Sequence, residues 1–228
     1  MASDLLLLPG LICDERLWRE VIAGLDAQSV VADLTQDDSI PAMAARALAS
    51  APARFALAGL SMGGYVAFEI MRQAPERVSH LALLDTSARP DDAARKETRR
   101  KGIDMVGQGK FIGVSRGLLG SLIAPQHMGS EVARDVQAMS ERVGQAAYVR
   151  QQVAIMNRVD SRPTLATINV PTLVAVGEMD KMTPAELAEE MAAGIVGAEL
   201  VRFAKSAHLP TMENPGAVVE AMRGWLGR

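Results

Sequence analysis

Phe55-Ala56-Leu57-Ala58-Gly59-Leu60-Ser61-Met62-Gly63-Gly64 is the stretch whose reading decides the fold. A short apolar run leads straight into Gly-x-Ser-x-Gly, and a further glycine and a helical pattern follow. A serine on such a strand-to-helix turn projects its hydroxyl away from the backbone, within reach of a base and a substrate. Gly59 and Gly63 keep side chains out of the crowded turn, and Gly64 lets the helix pack closely beneath it. Downstream, Val66, Ala67, Ile70 and Met71 share one helical face, and Pro75 is the expected stop.

The bare pattern is weak, because Gly113-Val114-Ser115-Arg116-Gly117 matches it too. Context separates the copies. Ser61 has a strand before it and a helix after it, whereas Ser115 sits among glycines and basic residues with no clear strand before it. Ser61 is therefore the candidate nucleophile, and Ser115 reads as a polar loop or helix residue.

The surrounding strands and helices place this turn in an α/β fold. Leu5 to Leu8, ending at Pro9-Gly10, is a continuous apolar run and reads as a buried parallel strand. Further strands are expected at Ser29 to Ala32, Arg54 to Ala58, Val78 to Leu84, Pro171 to Val176 and Glu199 to Phe203. Helices are expected at residues 14–25, 41–50, 184–193 and 215–226. Strands alternating with helices imply a mostly parallel central sheet, here of six strands, flanked by helices on both faces. Sites in such sheets lie beyond the carboxyl ends of the strands. After residue 88 strand signals vanish and helical patterns run to about residue 166. Residues 88–160 also carry 12 Lys/Arg against 8 Asp/Glu, although the whole chain is at −3. That shift marks an inserted helical unit, 88–166, within a core formed by 1–87 and 167–228.

Composition bounds the function. The 228 residues, 49% hydrophobic, support one sizeable core with an insert. Aromatics are few and there are 13 methionines, so any pocket should be aliphatic and adaptable. The slightly acidic balance argues against nucleic-acid binding. The single cysteine, Cys13, excludes an internal disulfide and a cysteine-rich metal site, and it reads as a buried small residue. Met1-Ala2-Ser3-Asp4 lacks a basic leader region and Leu5 to Leu8 is too short for a membrane span, so a cytoplasmic protein with no membrane partner is expected. Oligomeric state is not legible.

A serine hydroxyl needs a base, and the base needs an orienting carboxylate. Of three histidines, His80 lies inside an expected strand and His127 in a turn of the insert. His208 lies in the loop between the last strand and the last helix, where an imidazole can reach over the serine, and it is the candidate base. Asp180 and Asp85 both follow strands between the serine and the histidine. Asp180 is preferred because it lies in the loop nearer the histidine segment. The order Ser61, Asp180, His208 then suits the strand–turn–helix serine. The oxyanion needs N–H donors. Met62, after the nucleophile, supplies one, and Leu11 in the Pro9-Gly10-Leu11-Ile12 loop supplies the other.

With these residues in place the chain resembles the α/β-hydrolase superfamily. The resemblance rests on Gly59-Leu60-Ser61-Met62-Gly63-Gly64, on Val176-Gly177-Glu178-Met179-Asp180, and on Ala207-His208-Leu209-Pro210 followed by Glu213-Asn214-Pro215. Ala74-Pro75-Glu76-Arg77-Val78 is similar to the family's link from nucleophile helix to next strand. It covers residues 4–88 and 165–228. It implies acyl-transfer chemistry on esters, thioesters or related carbonyl compounds without a cofactor, and a helical cap at 88–166. Two departures stand out. Pro9-Gly10 replaces the usual His-Gly, and the sheet is trimmed, starting at what would be the third strand.

The expected activity is a carboxylesterase acting on small to medium acyl esters through an acyl-enzyme. A lactonase, a carbon–carbon hydrolase or an elimination enzyme would use the same triad, and a non-catalytic hydrolase-fold receptor is the alternative outside catalysis. A nucleotide cradle is improbable because the turn lacks Gly-x-Gly-x-x-Gly and no Lys-Ser/Thr follows. Ile12, Met182 and Leu209, with Leu11 and Met62, flank the centre as candidate pocket residues, and Ile12 and Met182 read equally well as core. Arg95, Lys96, Arg99, Arg100 and Lys101 fall on adjacent helical faces. They could meet an anionic substrate, although a charge run is usually a solvated face.

Overall fold

In a computed structural model of the chain, residues 4–227 are described. Met1, Ala2, Ser3 and Arg228, which the reading above assigns to the core and, for the first three, to the leader argument, lie outside the described residues. Six strands form the sheet: β1 (Leu5–Leu8), β2 (Ser29–Val31), β3 (Phe55–Leu60), β4 (Val78–Leu84), β5 (Thr172–Gly177) and β6 (Glu199–Phe203). Ten α-helical segments accompany them among the described residues. These are α1 (Arg19–Gly24), α2 (Ile40–Ser50), α3 (Met62–Gln73), α4 (Ala93–Gly107), α5 (Arg116–Leu122), α6 (Glu131–Met156), α7 (Arg162–Leu165), α8 (Ala185–Gly194), α9 (Pro210–Glu213) and α10 (Pro215–Leu226).

The strand order is β2-β1-β3-β4-β5-β6, and every pairing is parallel. Each strand alternates its side chains between two layers. Leu6 and Leu8, Leu57, Leu81 and Leu83, and Val174 and Val176 join the apolar layer under α2, α3 and α8. Leu5 and Leu7, Ala56 and Ala58, Ala82 and Leu84, and Leu173 and Ala175 join the layer under α1 and α10. The period-2 pleat makes this split, and burial on both faces explains why β1 and β3 read as continuous apolar runs.

The chain reverses its direction of winding at β1, which has β2 on one side and β3 on the other. The loops leaving β1 and β3 therefore part to opposite faces at adjacent strand ends, which opens a crevice there. The turn holding Ser61 and the loop Pro9–Cys13 meet at that point.

Two local readings change. Residues 14–25 were expected to be one helix. Instead a 3-10 turn, Glu15–Trp18, precedes α1, because the Asp14 side chain accepts the Arg16 N–H and tightens the first turn. α9 had no sequence signal: it is a single turn that starts at Pro210. The second Gly-x-Ser-x-Gly copy is a helix start, with Ser115 capping α5 by accepting the Leu118 N–H at 3.2 Å.

Between β4 and β5 the described elements are α4 to α7. α6 is interrupted at Gly144, whose φ is 75°. The first part of α6 and α5 pack Leu119, Ala133, Val136 and Met139 into the same apolar layer as α1 and α10. Ala154 and Ile155, near the end of α6, join the opposite layer. Among the described residues no helix is long and apolar enough to cross a membrane.

The first turn of α3 lies directly against β1. A Cβ placed on Gly63 would overlap the Leu8 carbonyl, so the approach of helix to strand requires glycine there. Gly63→Ala is expected to cost about 3 kcal/mol through overpacking against rigid backbone. A urea denaturation midpoint equal to the parent's would contradict that.

Candidate active site

Ser61 links β3 to α3 with φ 55° and ψ −114°, outside the comfortable regions for a residue with a Cβ. Its peptide is clamped from both sides. The Ser61 N–H donates to Leu84 O at 3.0 Å, and the Thr86 hydroxyl donates to Ser61 O at 2.7 Å. Both partners come from the end of β4, so the neighbouring strand sets the serine's unusual backbone.

His208 lies between β6 and α9 and is 4% exposed. Its Nε2 is 2.9 Å from Ser61 Oγ and its Nδ1 is 2.8 Å from Asp180 Oδ2. A carboxylate can only accept, so Nδ1 carries the proton and Nε2 is left to accept from the serine hydroxyl. Asp180, in the turn after β5, is itself fixed. Oδ1 accepts the Met182 and Thr183 N–H groups at 2.7 and 3.1 Å, and Oδ2 accepts the Thr183 hydroxyl at 2.7 Å. Burial alone would raise its carboxyl, but the His208 charge and these hydrogen bonds outweigh it and hold the group below the usual range. Its contribution to stability is thus present at neutral pH and lost as pH falls through that lowered value.

The three sequence-selected residues therefore meet in one chain of hydrogen bonds. Of the other histidines, His80 packs edge-on against Trp225 and His127 ends a 3-10 turn, Pro125–His127. Cys13 is buried, and burial first, then the Asp14 charge, push its thiol up to about 12, so it is not a nucleophile at neutral pH. Met62 is the first residue of α3, where an amide has no acceptor in its own helix. Leu11 lies in a turn closed by Cys13 N–H to Gly10 O at 3.2 Å. A Cβ built on Gly10 would lie 3.5 Å from Ser61 Cβ, which places that turn against the serine. Ile12 and Leu209 are buried within the apolar layer of α1 and α10, whereas Met182 is 38% exposed, which excludes the core reading for it. A cleft of about 370 Å³ beside the same loop is lined by Pro9, Cys13, Leu34 and Arg142, among others, and includes none of Ser61, Asp180 and His208.

The basic run on α4 is not a bare cationic face. Arg99 pairs with Asp91 and donates to Gln152 Oε1 at 2.7 Å, while Arg100 and Lys101 lie 3.5 and 3.9 Å from Glu97. Asp91 also pairs with buried Arg158, whose guanidinium stacks 4.2 Å from the Tyr65 ring centre. Asp91 thus draws Arg99 out of the run, and a single carboxylate, Glu97, faces both Arg100 and Lys101.

Two carboxyls carry more than the sequence suggested. Glu213 accepts the Ala207 and Leu209 N–H groups at 2.9 and 3.2 Å, bracketing His208, and the Ala124 N–H at 2.6 Å. It thereby ties the histidine loop to the helical insert. Its signal was its place in the Glu213-Asn214-Pro215 segment, which by itself assigns no role. Asp85, the alternative acid, has no exposed surface and a φ of 45°. Its Oδ1 accepts the Gly177 N–H at 2.8 Å, and its carboxyl lies within 4.8 Å of the Asp180 and His208 ligand atoms. Burial first, and the Asp180 charge second, hold the Asp85 carboxyl well above the usual range.

Comparison with known proteins follows the same lines. A family model described as "Alpha/beta hydrolase family" matches residues 5–221. The chain is 29% identical over 81% of its length to a pimeloyl-(acyl-carrier protein) methyl ester esterase of Klebsiella pneumoniae subsp. pneumoniae, covering 74% of that protein. It is 27% identical over 92% of its length to the protein of the same description from Vibrio parahaemolyticus, covering 88% of it. The solved structure of a thermophilic esterase from Thermogutta terrifontis, with malate bound, superposes with a TM-score of 0.87 at 28% identity, covering 99% of this chain and 90% of that one.

The buried Asp85 makes a pH prediction. The folded chain keeps this proton at pH values where the unfolded chain, near pKa 3.9, has released it. Stability therefore falls as pH rises through that window. Asp85→Asn keeps the acceptor for Gly177 and removes the penalty. The variant is expected to melt about 2–4 °C above the parent at pH 8. The gain should shrink toward pH 4, and calorimetry showing the reverse pH trend would refute the assignment.

Proposed function

The chain belongs to the alpha/beta hydrolase family and is a carboxylic ester hydrolase, and from that premise we propose that it cleaves small to medium acyl esters through an acyl-enzyme on Ser61. The observation that carries the reading is the continuous Ser61–His208–Asp180 hydrogen-bond chain at 2.9 and 2.8 Å. The esterases it is similar to belong to the same reaction class.

The proposed steps build on that hydrogen-bond chain. His208 Nε2 takes the Ser61 proton as Oγ attacks the ester carbonyl carbon. The Asp180 carboxylate holds the ring in its tautomer and stabilises the imidazolium that forms. The carbonyl π electrons move onto oxygen, and the Leu11 and Met62 N–H groups receive that charge. Collapse expels the alcohol, which leaves with the proton from His208. Water then gives a proton to the same nitrogen and attacks the acyl carbon, and Ser61 departs with that proton as the acid is released. Every proton and electron pair is accounted for by the chain, the ester and water.

We assign residues 88–166 as a cap over this centre. The Leu122 carbonyl, in the insert, accepts the His208 N–H at 3.0 Å, and Ala124 donates to Glu213, so the insert and the histidine loop share hydrogen bonds. Met62, Met182 and Leu209 lie within two residues of Ser61, Asp180 and His208 in sequence, and Leu11 and Ile12 belong to the turn packed against Ser61, an aliphatic set that suits an apolar acyl chain.

Ser61→Ala is expected to lower kcat for p-nitrophenyl acetate or butyrate by at least about 10⁴-fold. It should also abolish labelling by a fluorophosphonate probe. Parent-like hydrolysis by the purified variant would sink the mechanism. A panel of esters of rising acyl length, with lactones and diketones beside them, then defines the substrate.

A further inference from the structure

We propose that Gln151, a residue of α6 in the helical insert, is a positioning residue for the oxyanion hole. The proposal rests on the Leu11 and Met62 amides being the oxyanion donors. It adds a requirement that those donors alone do not reveal: one of them is held in place from outside the hydrolase core.

The turn after β1 is unusual. It runs Gly10-Leu11-Ile12-Cys13 and is closed by the Cys13 N–H on Gly10 O at 3.2 Å. Its third residue has φ 52°, and that residue is Ile12. Turns with a positive φ at this place normally carry glycine or asparagine. A β-branched side chain is among the least suited to it. Ile12 therefore does not hold this backbone by its own preference, and something else must.

Gln151 is what touches it. Its side chain has no exposed surface, and its Oε1 accepts the Ile12 N–H at 2.9 Å across 139 residues of sequence. Its Nε2 donates to Leu34 O, after β2, at 3.0 Å. One buried amide thus joins the loops leaving β1 and β2 to the helical insert. The chemistry selects the residue: the site needs an acceptor and a donor on one planar group, at a reach that asparagine lacks. Replacing it with an apolar side chain leaves a buried N–H and a buried C=O unpaired.

The consequence for the oxyanion donor follows from peptide geometry. Gly10 O and the Leu11 N–H belong to one planar trans peptide and point in opposite directions. Cys13 holds the carbonyl side, so the aim of the Leu11 N–H depends on the turn staying closed. Gln151 holds the next peptide, Leu11–Ile12, by its N–H, so both peptides flanking Leu11 are fixed. With neither free to rotate, the Leu11 N–H is set before the oxyanion forms.

Arg150, the preceding residue on α6, supplies the control. Its Nε donates to Thr35 O at 2.8 Å, so it clamps the neighbouring loop without touching Ile12. The experiment compares Gln151→Met, Arg150→Met and the double variant Gln151→Met/Ile12→Gly. Each is measured with p-nitrophenyl butyrate, with active sites counted by a fluorophosphonate. An alkyl trifluoromethyl ketone, whose hemiketal oxygen needs the hole, reports on transition-state binding. Gln151→Met is expected to lower kcat about tenfold or more with KM changed less than about twofold. The ketone's inhibition constant should rise by the same factor. Arg150→Met should lower Tm while leaving kcat and the inhibition constant at parent values. Glycine adopts a positive φ unaided, so the double variant should recover about threefold or more of the lost kcat.

A purely structural role for Gln151 moves Tm but neither kcat per titrated site nor the inhibition constant, and that outcome overturns the proposal. Equal losses of kcat in Gln151→Met and Arg150→Met overturn it as well. If Gln151→Met does not fold, Gln151→Glu keeps the acceptor for Ile12 and loses the donor to Leu34. A kcat within about threefold of the parent then supports the proposal, and a loss of about tenfold refutes it. Failure of the underlying reading looks different: Ser61→Ala would retain hydrolysis whatever Gln151 does.

Discussion

Ser61 occupies a backbone conformation that its own chemistry disfavours, and the end of β4 holds it there. A serine at φ 55° stores strain of about 1–3 kcal/mol unless neighbouring groups compensate. The Leu84 carbonyl and the Thr86 hydroxyl grip the two sides of its peptide. That grip aims Oγ out of the sheet and starts α3 immediately after it. The start of α3 in turn presses Gly63 onto the Leu8 carbonyl, which brings the end of β1 beside the serine. The relative placement of the proposed nucleophile and the proposed oxyanion loop thus descends from one strained residue and the strand next to it.

The same device recurs around the site. Among the described residues four other than glycine have positive φ, namely Ile12, Ser61, Asp85 and Lys205, and the first three lie in the loops that leave β1, β3 and β4. Each of the three has a hydrogen-bond partner on its N–H: Gln151 for Ile12, Leu84 for Ser61 and Ala175 for Asp85. Strain at the strand ends is offset by fixed hydrogen bonds. The buried carboxyls do comparable work for the histidine. Asp180 orients its ring, while Glu213 fixes the backbone on both sides of it. A low-dielectric interior makes such satisfied networks rigid and makes any unpaired member costly.

The centre of the sheet was legible because it is buried on both faces. Leu5–Leu8 and Val78–Leu84 appear where the sequence places them, since apolar runs bounded by turn residues have few other uses. The edge strand Glu199–Phe203 is also where the sequence places it, although Glu199 and Arg202 are exposed. Ser61, Asp180 and His208 were legible from residue type, strand-end position and order along the chain. Glu213 and Gln151 were not. A glutamate in a short loop and a glutamine in a charged helix look like solvated side chains, and only contacts over long sequence separation reveal them as buried. The basic run on α4 is partly what a charge run suggests: Arg100 and Lys101 are exposed beside Glu97, one helical turn away, whereas Arg99 is drawn to buried Asp91.

By itself the sequence determined a parallel α/β sheet with a serine at a strand-to-helix turn, because those properties follow from local periodicity, glycine placement and chain order. It also selected one histidine and preferred Asp180 to Asp85 among two strand-end carboxyls. Tertiary structure alone shows what each carboxyl touches: Asp180 faces the His208 ring, and Asp85 sits buried behind it against the Gly177 N–H. It alone decided which polar side chains outside the motifs reach the site, Glu213 from the last turn before α10 and Gln151 from the insert. The physical reason is that a hydrogen bond's partner is chosen by three-dimensional proximity inside a close-packed interior, whereas composition and spacing report only on neighbours along the chain.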